Sequence, residues 1–160
     1  GRIVVPSFDK DGDLNYFITR AYDNDWKKYM NPNVSRDIIF NDLYINFDDD
    51  VILVEGVFDA IKAGYNSVPL LGSTLNENSK LFYNIVKNDT PVYLALDPDA
   101  SKKTSKLISL FLKYDIEIKL IDIDPYDDVG EMTHAQFCKR KQMASVLDSH
   151  NYLLSRIAGI

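Results

Sequence analysis

The chain has 160 residues and a formal net charge of −6, and its 46% hydrophobic and 26% charged residues are those of an ordinary globular protein. This composition excludes a disordered, collagen-like or low-complexity chain, and no apolar run approaches the roughly 20 residues that a membrane helix needs. A single cysteine and two histidines exclude an internal disulfide and a zinc finger, so we expect a cytoplasmic protein with no membrane partner.

The first 50 residues predict a small β-rich flank. Two strand-like runs, Ile3–Pro6 and Leu14–Tyr22, enclose a turn-rich segment and together predict a hairpin. A further strand is predicted at Ile38–Ile45, before an acidic linker at residues 48–50. We therefore assign residues 1–48 to a flanking subdomain.

From Val51 onward, short apolar runs alternate with helix-like segments. Strands are predicted at Val51–Val54, Ser67–Leu71, Val92–Leu96 and Ile116–Ile121, and helices at Val57–Ala63, Leu75–Val86, Ser101–Tyr114 and from about Thr133 to about Leu154. Capping boxes, Thr74 with Glu77 and Thr133 with Gln136, favour two of the helix starts. The alternation predicts an α/β fold with a parallel sheet flanked by helices, at residues 51–131, followed by a C-terminal helical segment at 132–160.

Acidic residues follow three of the four predicted strands. Glu55 and Asp59 follow the first, Asp97 and Asp99 follow the third, and Asp128 lies in the acidic segment after the fourth. Because the carboxyl ends of parallel strands meet at one edge of a sheet, these carboxylates are expected to converge. Like charges so close are stabilised by a divalent cation, and oxygen ligands favour Mg²⁺ or Mn²⁺. The spacing predicts a metal-dependent site for phosphate esters.

Simpler interpretations exist for two of these acids. Asp59 also fits a solvated acid in the first turn of a helix, favoured by the helix dipole. Asp99 also fits a cap of the helix that begins near Ala100. Glu55 and Asp97 directly follow apolar strands, where an acid without a partner is unfavourable. These two therefore carry most of the functional signal.

Several motifs resemble the Toprim domain, and within that group the catalytic core of DnaG-like primases, including phage versions. The similarity is carried by V-I-L-V-E-G-V-F-D-A at 51–60, L-A-L-D-P-D-A at 94–100 and L-L-G-S-T at 70–74. Upstream, residues 1–20 and the K-Y-M-N-P segment at 28–32 resemble the flank that precedes Toprim in those primases. The likeness extends over about residues 1–135.

The resemblance implies roles for the acidic residues. Glu55 would be the lead catalytic acid, Asp97 and Asp99 catalytic acids and the main metal ligands, and Asp59 a supporting residue of the metal site. Asp128, in D-V-G-E, corresponds to a third cluster of ligands, although Gly130 stands where the family often has a second polar residue.

The resemblance also implies residues that handle nucleotides or nucleic acid: Arg20, Lys28, Tyr29, Gly72, Lys102 and Lys103. Arginine and lysine bind phosphates, and a tyrosine ring can stack on a base. Ordinary surface charge accounts equally simply for the lysines, and a turn requirement for the glycine.

The function implied by the resemblance is that of a DnaG-like primase core, a nucleotidyltransferase that makes RNA primers from nucleoside triphosphates on single-stranded DNA. It implies two bound ions, Mg²⁺ or Mn²⁺, a replicative helicase as partner, and a zinc-binding domain elsewhere in a longer chain. The location implied is a bacterial cytoplasm or that of a phage-infected host. Two alternatives stay open: a Toprim nuclease that hydrolyses phosphodiesters, and a non-catalytic Toprim module that binds nucleic acid.

Overall fold

A computed structural model describes residues 1–158 and contains two sheets with helices around the larger one. The strands are β1 Arg2–Phe8, β2 Leu14–Ala21, β3 Val51–Val54, β4 Ser67–Pro69, β5 Val92–Ala95 and β6 Ile118–Leu120; the helices are α1 Val57–Ala63, α2 Lys80–Lys87, α3 Ser101–Leu112, α4 His134–Met143 and α5 Ser149–Ala158. The last two residues of the segment predicted to end at residue 160 lie outside the described part.

The larger sheet is parallel, in the order β4-β3-β5-β6, and apolar side chains fill both of its faces. Successive strand residues point to opposite faces, so Val51 and Leu53 pack with residues of α2 and α3, whereas Ile52 and Val54 pack with α1 and α4. A strand buried on both faces consists of a continuous apolar run, as 51–54 does. The helices are thus divided between the two faces, and the strand ends remain open at one edge.

The smaller sheet is the antiparallel hairpin of β1 and β2, which confirms the predicted hairpin. Its apolar side packs against the start of α1, where Tyr16, Ile18, Phe40 and Val57 form a separate buried cluster. This packing places the end of β2 beside the carboxyl end of β3.

Before β5, one predicted strand and the predicted start of one helix were wrong. The strand predicted at Ile38–Ile45 is instead a loop with a 3₁₀ turn at Asp42–Tyr44, because Asn41 adopts a left-handed backbone with φ 55° and its Oδ1 accepts from the Phe8 N–H. Helix α2 starts at Lys80 rather than Leu75, since Asn and Ser side chains bond to backbone N–H groups at 76–79 and compete with helix formation. Glu77 therefore forms no capping box and instead accepts from Lys113.

The single C-terminal helix predicted as far as Leu154 is in fact two helices. Its start was correct, because Thr133 and Gln136 form the predicted capping box. After Met143 the chain extends along the free edge of β6, where Val146 bridges to Lys119 and the Leu147 N–H donates to the Ile118 carbonyl at 2.7 Å. These edge bonds, rather than a helix breaker such as proline or glycine, interrupt the helix.

The predicted fold class is confirmed: a parallel sheet flanked by helices follows a small β-rich flank. The domain boundaries at 48/51 and 131/132 stay predictions. Within residues 1–158, no helix combines the length and the apolar character required to span a bilayer.

Candidate active site

A cleft of about 830 Å³ lies between the hairpin flank and the carboxyl ends of β3 and β5. One wall carries acids from the strand ends, and the other carries basic and aromatic residues from the flank. Eight of the residues singled out from the sequence line it: Glu55, Asp59, Asp97, Asp128, Arg20, Lys28, Tyr29 and Gly72. Parallel pairing explains the acidic wall, because Val54 and Ala95 lie side by side in the sheet and the acids follow directly.

Glu55 is the first residue after β3, and its two oxygens have different environments. Oε2 accepts from Lys103 Nζ on α3 at 2.5 Å. Oε1 is buried and has no hydrogen-bond partner among the described residues. A buried, unpartnered carboxylate oxygen is costly unless a ligand satisfies it, so Glu55 is prepared for an additional partner.

Asp97 follows β5 and is the most strongly perturbed acid of the site. Its Oδ1 is also buried without a partner within residues 1–158. Burial, together with the negative charges of the neighbouring acids, raises the pKa of Asp97 to about 6. A cation bound to this carboxylate would offset both the cost of its burial and its repulsion by the neighbouring acids.

Asp59, one turn into α1, is buried and acts on the backbone. Its Oδ2 accepts from the Gly56 N–H at 2.8 Å and its Oδ1 from the Gly130 N–H at 2.9 Å. Burial raises the pKa of Asp59 despite these two bonds. The interpretation as a solvated helix-start acid is therefore wrong, because the side chain fastens the β3–α1 turn to the loop that carries Asp128.

Gly130 makes this close approach possible. A Cβ atom there would lie 3.0 Å from Asp128 Oδ1 and 3.1 Å from Asp59 Oδ1, so these carboxylates would have to shift by a few tenths of an ångström. Asp128 itself caps the 3₁₀ turn at 129–131 by accepting from the Glu131 N–H at 2.9 Å. Gly130 thus allows the Asp59 and Asp128 carboxylates to lie close together, and this is a structural reason for a glycine where the family often has a polar residue.

The donor set suits a hard divalent cation held by few protein ligands. Within residues 1–158, no three His, Cys, Asp or Glu side chains are grouped so as to hold a metal ion by themselves. Two carboxylate oxygens, Glu55 Oε1 and Asp97 Oδ1, are buried and unpaired, while both oxygens of Asp59 are engaged by the backbone. Such a set fits Mg²⁺, which keeps several waters and takes further ligands from substrate phosphates.

Three predicted residues do not line the cleft. Asp99 is exposed on the 3₁₀ turn at 98–100. The N-cap position of α3 is Ala100 and no side chain caps the helix, so the alternative role of Asp99 as a helix cap is wrong. Lys102 is exposed and lines a shallow groove along α3. Lys103 reaches the site indirectly, through its ion pair with Glu55.

The opposite wall is basic and aromatic. Residues 28–30 run back along the end of β2, where Tyr29 pairs with Arg20 and the Ala21 N–H donates to the Lys28 carbonyl at 2.9 Å. The Arg20 guanidinium lies 4.8 Å from the ring centre of Phe58 and 5.9 Å from that of Tyr29. Cation–π contacts hold the guanidinium in place without neutralising it, so its charge remains available to phosphate.

The turn after β4 closes the cleft between the two walls. Leu71 and Gly72 have successive left-handed backbones, with φ 55° and 69°. A non-glycine residue rarely adopts this conformation, and Gly72 adopts it without steric cost. The Leu71 carbonyl accepts from Arg36 Nη1 at 3.2 Å, which helps to hold the turn.

Three residues of the cleft were missed as site residues by the sequence reasoning. Gly130 was noted only as a departure from a family pattern, although a small residue between acids was a usable signal. Phe58 lies inside the acidic motif, but its contact with Arg20 is visible only in the fold. Tyr16 lines the cleft with a buried hydroxyl that has no partner within residues 1–158, and its sequence neighbourhood gave no signal.

Comparison with known proteins gives a consistent result. The chain is 25% identical over 145 residues to a DNA primase of Thermotoga maritima, which corresponds to 82% of this chain and 26% of that protein. Among solved structures, the zinc-binding and RNA polymerase domains of the Aquifex aeolicus primase match with a TM-score of 0.73 and 25% identity, over 97% of this chain and 43% of that one. A DnaG primase catalytic domain bound to single-stranded DNA matches with a TM-score of 0.73 and 18% identity, over 96% of this chain and 55% of that one.

No protein-family model matches the sequence. The chain spans about a quarter of the curated relative's length and about half of the solved chains. The likeness nevertheless extends across the flank as well as the half that contains the parallel sheet, as the sequence motifs predicted. The chain accordingly has the fold of a DnaG-like primase catalytic core, including its Toprim domain.

Proposed function

We propose that this chain is the catalytic core of a primase, which joins nucleoside triphosphates into RNA primers on single-stranded DNA. The observation that carries the proposal is the pair of buried, unpartnered oxygens, Glu55 Oε1 and Asp97 Oδ1, in a cleft whose opposite wall is basic and aromatic. An acidic pocket alone repels phosphates. Here the acidic side chains can bind metal ions, and the basic side chains on the opposite wall can bind phosphate. Together they form a site for a polyanionic substrate.

The acidic wall holds the metal in this proposal. Glu55 and Asp97 supply the ligand oxygens, Asp128 and Asp99 lie in the adjoining turns, and Asp59 fixes the backbone between them. Mg²⁺ or Mn²⁺ bound there, as one or two ions, would screen the triphosphate and stabilise the charge of in-line phosphoryl transfer. The reaction itself is attack of a 3′-hydroxyl on the α-phosphorus with loss of pyrophosphate, which needs positioning more than a protein nucleophile.

The basic wall holds nucleic acid or nucleotide. Arg20 and Lys28 contact phosphates, and Tyr29 presents a half-exposed ring on which a base can stack. The tight turn at Gly72 lets a phosphate approach the backbone closely. Lys102, on the outer face of α3, belongs to the same proposal as a contact outside the cleft.

The partners follow from the related proteins. One solved relative carries a zinc-binding domain, and another is bound to single-stranded DNA. We include in the proposal a zinc-binding domain elsewhere in a longer chain, a replicative helicase as partner, and a bacterial or phage-infected cytoplasm. A core with a net charge of −6 gains its affinity for DNA largely from such partners.

The decisive experiment is incorporation of labelled ribonucleotides on single-stranded DNA with Mg²⁺ or Mn²⁺, with and without a partner helicase. The expected product is a short RNA that depends on template and metal and is lost in Asp97→Asn. Asp122→Asn is the matched control, because that carboxylate follows β6 but is 76% exposed and lies 3.6 Å from Arg140.

Two results would remove the proposal. Cleavage of DNA or RNA without nucleotides, abolished by the same substitution, would identify a nuclease instead. Binding of single-stranded DNA that is unaffected by metal and by Asp97→Asn, with no product of either kind, would identify a non-catalytic module.

A further inference from the structure

The ion pair between Lys103 and Glu55 is an interaction at the cleft for which the proposed reaction has no role. The two side chains are only 23% and 20% exposed, and Nζ lies 2.5 Å from Oε2. The exposed pair of Lys113 and Glu77, by contrast, has side chains that are 64% and 47% exposed. Because water screens the Lys103–Glu55 pair less, it carries a larger electrostatic free energy than a surface contact.

One ammonium group does not neutralise this site. Five acids line the cleft, Glu55, Asp59, Asp97, Asp128 and Glu131, and only Glu55 has a lysine partner among the described residues. Lys103 engages one oxygen of Glu55 and leaves the other buried without a partner, as is one oxygen of Asp97. The lysine therefore compensates part of the charge that a divalent cation would compensate more fully.

The position of Lys103 on α3 also allows its ammonium group to move away from Glu55. Lys103 lies in the first turn of α3, six residues after Asp97, on a flexible stem of four methylene groups. Lys102 and Lys106, nearby on α3, are exposed, so the helix already presents positive charge next to the cleft. A small change in side-chain torsions moves the ammonium away from Glu55 without moving the helix.

We propose that Lys103 is an internal counter-cation that a divalent metal must displace from Glu55, and that the released ammonium then binds the polyphosphate of the incoming nucleotide. The inference rests on the proposed metal site and extends it. In the metal-free protein, Lys103 lowers the repulsion among the acids. When metal binds, the same charge moves to the substrate, so metal loading and phosphate binding are coupled through one side chain.

The test measures Mn²⁺ binding by electron paramagnetic resonance, without nucleotide or DNA. Lys103→Met removes the competing charge and keeps the length and helix preference of the side chain. It is expected to tighten Mn²⁺ binding at least about fivefold, because a unit charge a few ångströms away contributes that much even in bulk water. Lys103→Arg retains the charge and is expected to stay within twofold of the wild type, as is the adjacent exposed control Lys102→Met.

A second measurement follows the released ammonium. With Mn²⁺ present, binding of inorganic tripolyphosphate is expected to weaken about fivefold in Lys103→Met and to remain unchanged in Lys103→Arg. A merely structural role for Lys103 would weaken both Mn²⁺ and tripolyphosphate binding together, whereas displacement changes them in opposite directions.

The outcomes separate this inference from the primase proposal. Mn²⁺ affinity in Lys103→Met that equals or falls below that of the wild type overturns the inference, even if primers are made. Opposite changes in the two affinities support it, even if no primer synthesis is found and the chemistry proves to be hydrolysis.

Discussion

The charged side chains on the two walls of the cleft are stabilised in different ways. On the acidic wall, carboxylates follow buried strands, and oxygens of Glu55 and Asp97 remain unpartnered within residues 1–158. On the flank wall, the Arg20 guanidinium packs against the rings of Phe58 and Tyr29 and is partly exposed to water. In the proposed site a cation completes the first wall, whereas the charge on the second wall needs no metal. Metal dependence should therefore belong to one wall and strand affinity to the other.

Removal of one charge from each wall is expected to have the largest effects. Asp97→Asn is expected to lower ribonucleotide incorporation roughly 1,000-fold, because it removes electrostatic stabilisation at the reacting phosphate, and to weaken Mn²⁺ binding. Arg20→Gln is expected to leave Mn²⁺ affinity within twofold. Steady-state incorporation and Mn²⁺ titration of both variants measure this, and equal losses of Mn²⁺ affinity would contradict the division.

A substitution at Gly130 changes the geometry of the acidic wall without changing its charge. Gly130→Ala places a methyl group about 3 Å from carboxylate oxygens of Asp128 and Asp59, and the acids must move apart. We expect roughly tenfold weaker Mn²⁺ binding, the usual scale for damage to groups that orient ligands. The control is Gly12→Ala in the hairpin turn, where an added Cβ meets no atom within 4 Å but is strained by its φ of 87°. If both variants bind Mn²⁺ equally well, Gly130 does not organise the site.

The flank wall has a corresponding test. Arg20→Gln is expected to weaken binding of single-stranded DNA about fivefold and to reduce the salt dependence of log K by about 0.7, as expected for one lost phosphate contact. Phe58→Leu keeps the charge but removes the ring against which the guanidinium packs, and we expect a smaller loss, about twofold. Fluorescence anisotropy across a salt series measures both. An unchanged salt slope in Arg20→Gln would place Arg20 outside the strand-binding surface.

The smallest expected effect concerns stability and pH. The pKa of Asp97 in the folded protein, about 6, lies above the ordinary value for aspartate, so the folded state holds this proton more tightly than the unfolded state does. The metal-free protein should therefore lose stability as the pH rises from about 4 to about 6. Asp97→Asn removes the carboxyl group that ionises, so this variant should not lose that stability. Above pH 6 its free energy of unfolding should exceed that of the wild type by about 1 kcal/mol, after allowance for screening by water.

Thermal melts in a chelator at several pH values measure this difference. The melting temperatures of the wild type and Asp97→Asn should converge near pH 4 and separate above pH 6. Addition of Mn²⁺ should raise the melting temperature of the wild type more than that of the variant. A constant difference across the whole pH range would exclude Asp97 as its origin.

The sequence predicted the acidic wall better than it predicted its surroundings. Strand positions were strongly indicated by apolar runs, and parallel topology then required Glu55 and Asp97 to share an edge. The ion pair of Lys103 with Glu55 and the packing of Phe58 under Arg20 join residues 48 and 38 positions apart. Such contacts depend on how the elements dock, which local periodicity does not contain.

The errors in the predicted secondary structure come from hydrogen bonds, local and long-range, that the spacing of apolar residues does not show. The loop at 76–79 and the left-handed Asn41 follow from side chains that bond to nearby or distant backbone groups. The break after Met143 follows from a pairing with β6 that an isolated helix could not reveal. Apolar periodicity predicted most of the elements, and hydrogen bonds that it does not show, local at 76–79 and long-range at Asn41 and Val146, set their limits.

The short extended segment between α4 and α5 has a practical consequence. It occupies the outer edge of β6, where Val146 pairs with Lys119 and the Leu147 N–H bonds to the Ile118 carbonyl. A fragment cut at residue 131, the predicted end of the metal-binding domain, would expose those backbone groups to any other strand. Such a fragment would tend to aggregate through its sheet edge, and extending it to include Leu147 should keep it monodisperse.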